Sequence, residues 1–211
     1  MGDKIHKMKQ EGVGLVEVPD IPMPMEANSS EVVVDECQGA FKMAFIGLGQ
    51  GGSRLAESYW KLGYRRVCCV NTNRQDLTAI NIPEANKLVM DIGTGGAGKD
   101  PSKGEAAAKQ YYEDIYDLMR RSFGREFDRI MICLGGGGGT GGGSAKTVIQ
   151  IAHDIAQSFK LETEGGRPAV GVIVALPKVA EGAKVNENTY YLLESLFALV
   201  GKDRGKMGGR M

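Results

Sequence analysis

Metal-ligand spacing is missing from this sequence. Its four cysteines, Cys37, Cys68, Cys69 and Cys133, are scattered along the chain. Adjacent Cys68 and Cys69 sit in an apolar run, where successive side chains point to opposite faces of a sheet. An excess of one charge is missing too. The 26 basic residues balance the 26 acidic ones, and the pI is about 6.7. Nucleic-acid binding driven by bulk electrostatics is therefore not expected. No apolar run approaches the roughly 20 residues that a bilayer span needs, and the first residues do not read as a signal peptide. No membrane partner is expected, and the reading is of a soluble, reduced, cytoplasmic protein. At 211 residues, 42% hydrophobic and 25% charged, the chain can bury one sizeable core.

Glycine is what the sequence has in excess: 31 residues, nearly double the average share of about 7%. It is clustered, and the clusters follow the organisation of the chain. Residues 1–40 read as a polar N-terminal extension punctuated by Pro19, Pro22 and Pro24, expected to be mobile, with a short strand possible at 14–18. From residue 41 onward apolar runs of strand length occur at 43–48, 67–70, 88–92, 130–134 and 170–176. Segments of helical period lie between most of them. Leu55, Tyr59 and Leu62 share one face, as do Ala108, Tyr111, Ile115 and Leu118, and Val148, Ile151, Ile155 and Phe159. The third strand follows the second through a loop. Leu192, Leu193, Leu196, Phe197 and Val200 suggest a last helix before a glycine-rich basic tail. Short continuous apolar strands alternating with amphipathic helices predict an α/β fold: a Rossmann-like parallel sheet with helices on both faces. Ligands of such sheets bind beyond the carboxyl ends of the strands, and every glycine cluster falls at that edge.

The first cluster, Gly47-Leu48-Gly49-Gln50-Gly51-Gly52, leaves the first strand and opens a helix. It matches GxGxxG, which lets backbone N–H groups approach a phosphate at a helix N-terminus; a tight turn without ligand would also explain it. The third strand leads into Gly93-Thr94-Gly95-Gly96-Ala97-Gly98-Lys99-Asp100-Pro101, with Gly104 beyond. Alone, that segment reads equally as a flexible surface loop. The third cluster, residues 135–144, holds eight glycines in ten positions, with Thr140 and Ser144 as its hydroxyls. So much glycine costs folding entropy that a linker need not incur, whereas a row of bare amides ahead of a positive helix end suits a di- or triphosphate. Thr140 and Ser144 add hydroxyls for phosphate or a Mg²⁺-bound water, a helix cap being the alternative reading of Ser144.

Two other nucleotide-binding classes compete with this pattern. A dinucleotide-binding oxidoreductase needs an acid near the end of the second strand, but that strand ends Val70-Asn71-Thr72-Asn73, and the fold gives no reason for a second polyglycine loop. A phosphate-loop NTPase is excluded because GxxxxGK(S/T) does not occur. Other chemistry-bearing residues have plainer readings. His153 reads as a satisfied helical residue, Asp91 as a loop cap near the phosphate edge and Asp76 as a helix cap. The Tyr111–Tyr112 pair reads as packing, and Arg120, Arg121 and Arg125 as a solvated helix end.

Together the segments resemble the tubulin/FtsZ superfamily of self-assembling GTPases, from about Lys42 to Leu199. Gly137–Gly143, reading GGGTGGG, is similar to the family signature GGGTG(S/T)G. Gly49-Gln50-Gly51-Gly52-Ser53 resembles its first loop, and Val70 to Leu77 its second, VNTDxQxL. Gly96-Ala97-Gly98-Lys99-Asp100-Pro101 with Gly104 resembles its third, GAGxNPxxG, and Glu181-Gly182 its ribose-side loop. The resemblance implies a tubulin/FtsZ-type GTPase domain over residues 41–211 that binds GTP or GDP with Mg²⁺. The phosphates would be held by Gly49, Gln50, Gly51, Gly52, Ser53 and Arg54 and by Gly137, Gly138, Gly139, Thr140, Gly141, Gly142 and Gly143. Asn71 and Asn73, with Gly96, Ala97 and Gly98, would flank the γ-phosphate and Mg²⁺, and Glu181 would reach the ribose. The sequence departs from the family at Gly142, which replaces a hydroxyl residue, at Arg54, which replaces Asn, and at Val185, which replaces Arg. The family's central helix, second domain and acidic catalytic loop have no counterpart before Met211, so no catalytic or directly metal-ligating residue is assigned, and a truncated piece is expected over a minimal relative. In the family that loop enters the next subunit's site, which implies self-association into protofilaments. A nucleotide-sensing module that never polymerises is the alternative, and an NAD-binding oxidoreductase a weaker one.

Overall fold

The computed structural model describes residues 41–163, 166 and 168–207, with side chains up to residue 199. The extension over residues 1–40, with its expected strand at 14–18 and Cys37, lies outside the described residues. Among the described residues five strands form one parallel sheet: β1 (Met43–Leu48), β2 (Val67–Asn71), β3 (Lys87–Val89), β4 (Arg129–Gly135) and β5 (Val170–Ala175). Their order is β3-β2-β1-β4-β5. The helices are α1 (Gly49–Lys61), α2 (Arg74–Thr78), α3 (Pro101–Gln110), α4 (Tyr112–Phe123), α5 (Gly139–Ser158) and α6 (Ala183–Met207).

The central strands are apolar throughout because both faces of a parallel sheet are covered. On one face Ile46, Leu48, Val70, Ile132 and Leu134 pack against Ala108 of α3, Ile115 and Leu118 of α4, and Val148, Ile151 and Ile155 of α5. On the other, Phe45, Val67, Cys69 and Cys133 pack against Ala56 of α1 and Leu77 of α2. Cys68 and Cys69 do face opposite sides. Among the described residues no helix is long and apolar enough to cross a membrane.

The structure corrects five expectations. The β2–β3 connection contains the short helix α2, which a polar sequence hides and which Asn73 caps through its side chain. Strand β3 ends at Val89 rather than at 92. The helix expected through Ala108 and Leu118 is two, broken at Tyr111, whose ψ of 23° leaves the helical range. Leu62 is the C-cap of α1 and is 62% exposed rather than on its buried face. The last helix, expected to end before the glycine-rich basic tail, continues into it as α6 as far as Met207.

Candidate functional site

Beyond the carboxyl ends of β1, β2, β4 and β5 lies a cleft of about 770 Å³, walled by the glycine-rich loops. That volume is in the range of small-molecule sites, roughly 300–1,000 Å³. Two helices begin in it. The N-cap of α1 is Leu48 and that of α5 is Gly138, and neither has a side-chain cap. By contrast, Asn73 caps α2 and Asp100 caps α3. The first amides of a helix have no partner within it and carry the positive end of its dipole. At α1 and α5 no side chain caps those amides. The two starts lie close together: Gly49 has φ +66°, and a Cβ there would stand 3.0 Å from the Gly141 amide nitrogen.

Buried side chains knit the loops to each other. Thr72 and Thr140, 3% and 8% exposed, share a hydrogen bond of 2.7 Å between their hydroxyls, and the Ala97 amide donates to Thr72 Oγ1 at 3.0 Å. One hydroxyl thus joins the loops after β2, β3 and β4. The Asn71 side-chain amide donates to Asp76 Oδ2 at 3.1 Å, and the Gln50 amide to Asp76 Oδ1 at 3.4 Å. Asn71 Oδ1 accepts from the Asn73 amide at 3.3 Å. Asp76 lines the cleft and is not the cap of α2, which is Asn73. Among the described lining residues Lys99 is the single cation, against the acids Asp76 and Glu181. Charge neutralisation of an anion here rests on amides and helix dipoles more than on side chains. Glu181 sits at the rim, its Oε1 accepting from the Lys178 amide at 2.9 Å.

Of the residues expected at the site, Gly49, Gln50, Gly51, Asn71, Asn73, Gly96, Ala97, Gly98, Gly137, Gly138, Gly139, Thr140, Gly141 and Glu181 line this one cleft. Gly52, Ser53, Arg54, Gly142 and Gly143 do not. A Cβ on Gly52 would stand 2.1 Å from the Cys133 carbonyl oxygen, so Gly52 lets α1 pack on β4. Ser53 is buried with its hydroxyl unpaired, and Arg54 is exposed on α1. Ser144 neither caps nor lines: its hydroxyl donates to the Thr140 carbonyl oxygen at 2.7 Å. Asp91 accepts from the Gly93 amide at 2.8 Å as a loop cap. Arg120 lies 4.9 Å from the centre of the Phe159 ring, and Arg121 donates to the Ala85 carbonyl, so both are held against the fold. Sequence reasoning missed Thr72 and the lining position of Asp76. Thr72 carried a signal, lying between two asparagines already singled out. Asp76 carried none, because its position depends on the unforeseen turn of α2.

Two uncapped helix N-termini converge on a glycine-walled cleft over a parallel sheet of order 3-2-1-4-5, an α/β arrangement whose backbone amides can accept an anion. The profile of the Tubulin/FtsZ family, GTPase domain, matches residues 42–197, and the chain belongs to that family. It is 31% identical to the tubulin-like protein TubZ of Bacillus cereus over 186 residues, covering 82% of this chain and 39% of that protein. It is 28% identical to cell division protein FtsZ 1 of Pyrococcus furiosus, covering 85% of this chain and 45% of the relative. Among solved structures, the GDP-bound monomer of CetZ1 from Haloferax volcanii shares the fold with a TM-score of 0.62 at 23% identity, covering 72% of this chain and 46% of that one. The chain thus spans less than half the length of these relatives.

Proposed function

We propose that the cleft binds GTP or GDP together with Mg²⁺, and that in the whole protein this domain serves head-to-tail polymerisation with GTP hydrolysis at the contact between subunits. The observation that carries the reading is the meeting of two uncapped helix N-termini in one cleft, on a chain of this family. The amides of Gly49–Gly51 and Gly137–Gly141 take the phosphates, with Thr140 adding a hydroxyl. The apolar end by Leu176, Pro177 and Val185, with Glu181 at the rim, takes the nucleoside.

Mg²⁺ fits the same cleft. Among the described residues no three His, Cys, Asp or Glu side chains form a protein-built metal site, and Mg²⁺ bound beside a nucleotide takes one or two protein oxygens together with phosphate and water. Asp76 is the carboxylate lining the phosphate end, beside the side-chain oxygens of Asn71, Thr72, Asn73 and Thr140. A bound Mg²⁺ would offset the terminal phosphate charge. No residue of this chain is assigned to position the attacking water, and the family's acidic loop would supply that from a neighbouring subunit. The test is a thermal-shift titration with GTP, GDP, ATP and NAD, each with Mg²⁺. A ligand bound only by the folded state adds about 2.7 kcal/mol at a hundredfold excess over Kd. A shift with guanine nucleotides alone supports the reading. A shift with NAD alone, or with none of the four, refutes it.

A further inference from the structure

The buried stripe of α6 is not uniformly apolar. Val185 and Leu192 belong to it, and between them Asn188 and Thr189 are 5% and 7% exposed. A buried side-chain amide is costly unless its donors are used. The Thr189 hydroxyl bonds back to the Val185 carbonyl within the helix. The Asn188 nitrogen leaves the helix altogether. It donates to the Lys99 carbonyl oxygen at 2.9 Å and to the Gly137 carbonyl oxygen at 3.2 Å. These carbonyls belong to two walls of the cleft, the β3–α3 loop and the β4–α5 loop. Lys99 also holds φ +62° without being glycine, a conformation that persists only where its surroundings impose it.

We propose that Asn188 is a positioning residue that sets the separation of these two walls, so that their amides converge on one phosphate. Glycine loops have few side chains of their own to hold them in register: the Thr72 hydroxyl ties Ala97 to Thr140, and Asn188 adds the tie between Lys99 and Gly137. If the walls part, the competent cleft is a minor state and apparent affinity falls by its population. The ligand in this proposal rests on the nucleotide reading above; the clamp itself does not.

The test uses the full chain and two near-isosteric variants, Asn188→Asp and Asn188→Leu, each of which removes both donors. Amide hydrogen exchange is measured without ligand, and affinity with fluorescent GDP and Mg²⁺. Both variants should speed exchange at residues 97–99 and 136–138 while the amides of β1 and β4 exchange as in the wild type, and should bind about tenfold or more weakly. Unchanged loop exchange overturns the clamp, and so does a uniform rise across the fold, which marks a merely structural role. That comparison decides the clamp even if the wild type binds no nucleotide, an outcome that refutes the reading of the cleft instead. Should neither variant fold, the wild-type Asn188 side-chain NH₂ resonances decide. Two separately hydrogen-bonded, exchange-protected protons support the clamp, and freely exchanging ones overturn it.

Discussion

Two adjacent glycines should answer the same substitution with opposite sign. A Cβ on Gly143 would stand 2.0 Å from the Pro101 carbonyl oxygen and 2.8 Å from the Glu105 amide nitrogen. Both are backbone atoms of α3, so neither can swing aside. On Gly142 the nearest atom to the same Cβ is the Gly136 carbonyl oxygen at 3.7 Å, an ordinary contact. Neither position has positive φ, so the alanine backbone fits at both. Gly142→Ala replaces glycine inside a helix and should stabilise by about 0.5–1 kcal/mol, raising Tm by about 1–4 °C for a chain of this size. Gly143→Ala must part α3 from α5 by roughly an ångström. Overpacking costs about 1–3 kcal/mol, and rigid backbone on both sides puts it near 3, a fall of about 6–12 °C. Urea unfolding at constant m-value measures both changes. Affinity for GDP should fall with Gly143→Ala, because α3 carries the loop before it, and should hold with Gly142→Ala. Destabilisation by both variants, or by neither, would refute the assignment of Gly143 to packing and Gly142 to open space.

The buried hydroxyl pair makes a second prediction: Thr72→Val strands the Ala97 amide and should cost about 1–3 kcal/mol, and a cycle with Thr140→Val should be strongly non-additive; additive losses would show the 2.7 Å contact to be energetically idle. Burial pushes the thiols of Cys69 and Cys133 up to about 12 from an ordinary 9.0. A raised folded pKa gives stability that is complete below pH 9 and lost as pH climbs toward 12. Stability against pH should therefore turn downward above 9, and a Cys37→Ser variant should resist thiol reagents at pH 8 until unfolded. Rapid labelling of the native protein would contradict the burial. Asp76→Ala should reduce the gain in GTP affinity on adding Mg²⁺ by about tenfold with little effect on Mg²⁺-free GDP binding; an unchanged ratio would remove Asp76 from the metal.

The strands and most helices were legible because burial on both faces forces continuous apolar runs and packing forces a helical period. What hid was whatever polar residues do locally. The segment Arg74–Thr78 has too few apolar positions to show a period, and its helix depends on Asn73 accepting from the Gln75 and Asp76 amides. The break at Tyr111 hid because apolar residues keep their spacing across it. Asn188 was hidden differently. It sits three residues after Val185 and four before Leu192, a polar residue in an apolar stripe, and its meaning depends on carbonyls 89 and 51 residues away.

The glycine clusters were read as one signal, and they carry two. The entropy argument held that eight glycines in ten positions imply a ligand. Part of that glycine has another cause, since a Cβ on Gly139 would stand 2.6 Å from the Asp100 amide nitrogen and one on Gly104 2.3 Å from the Gly139 carbonyl oxygen. Those residues let α3 and α5 approach backbone to backbone, as Gly52 lets α1 approach β4. Density alone therefore does not separate a ligand site from a packing seam. The separation comes from the helix starts. Where glycine serves only packing, no amide is left over. At Gly49–Gly51 and Gly139–Gly141 the helices begin without side-chain caps, although the chain caps α2 and α3 with Asn73 and Asp100. Omitting two caps at one cleft forgoes about 1 kcal/mol at each. The close packing is what brings those two uncapped ends together, so the seam and the site are consecutive parts of one device.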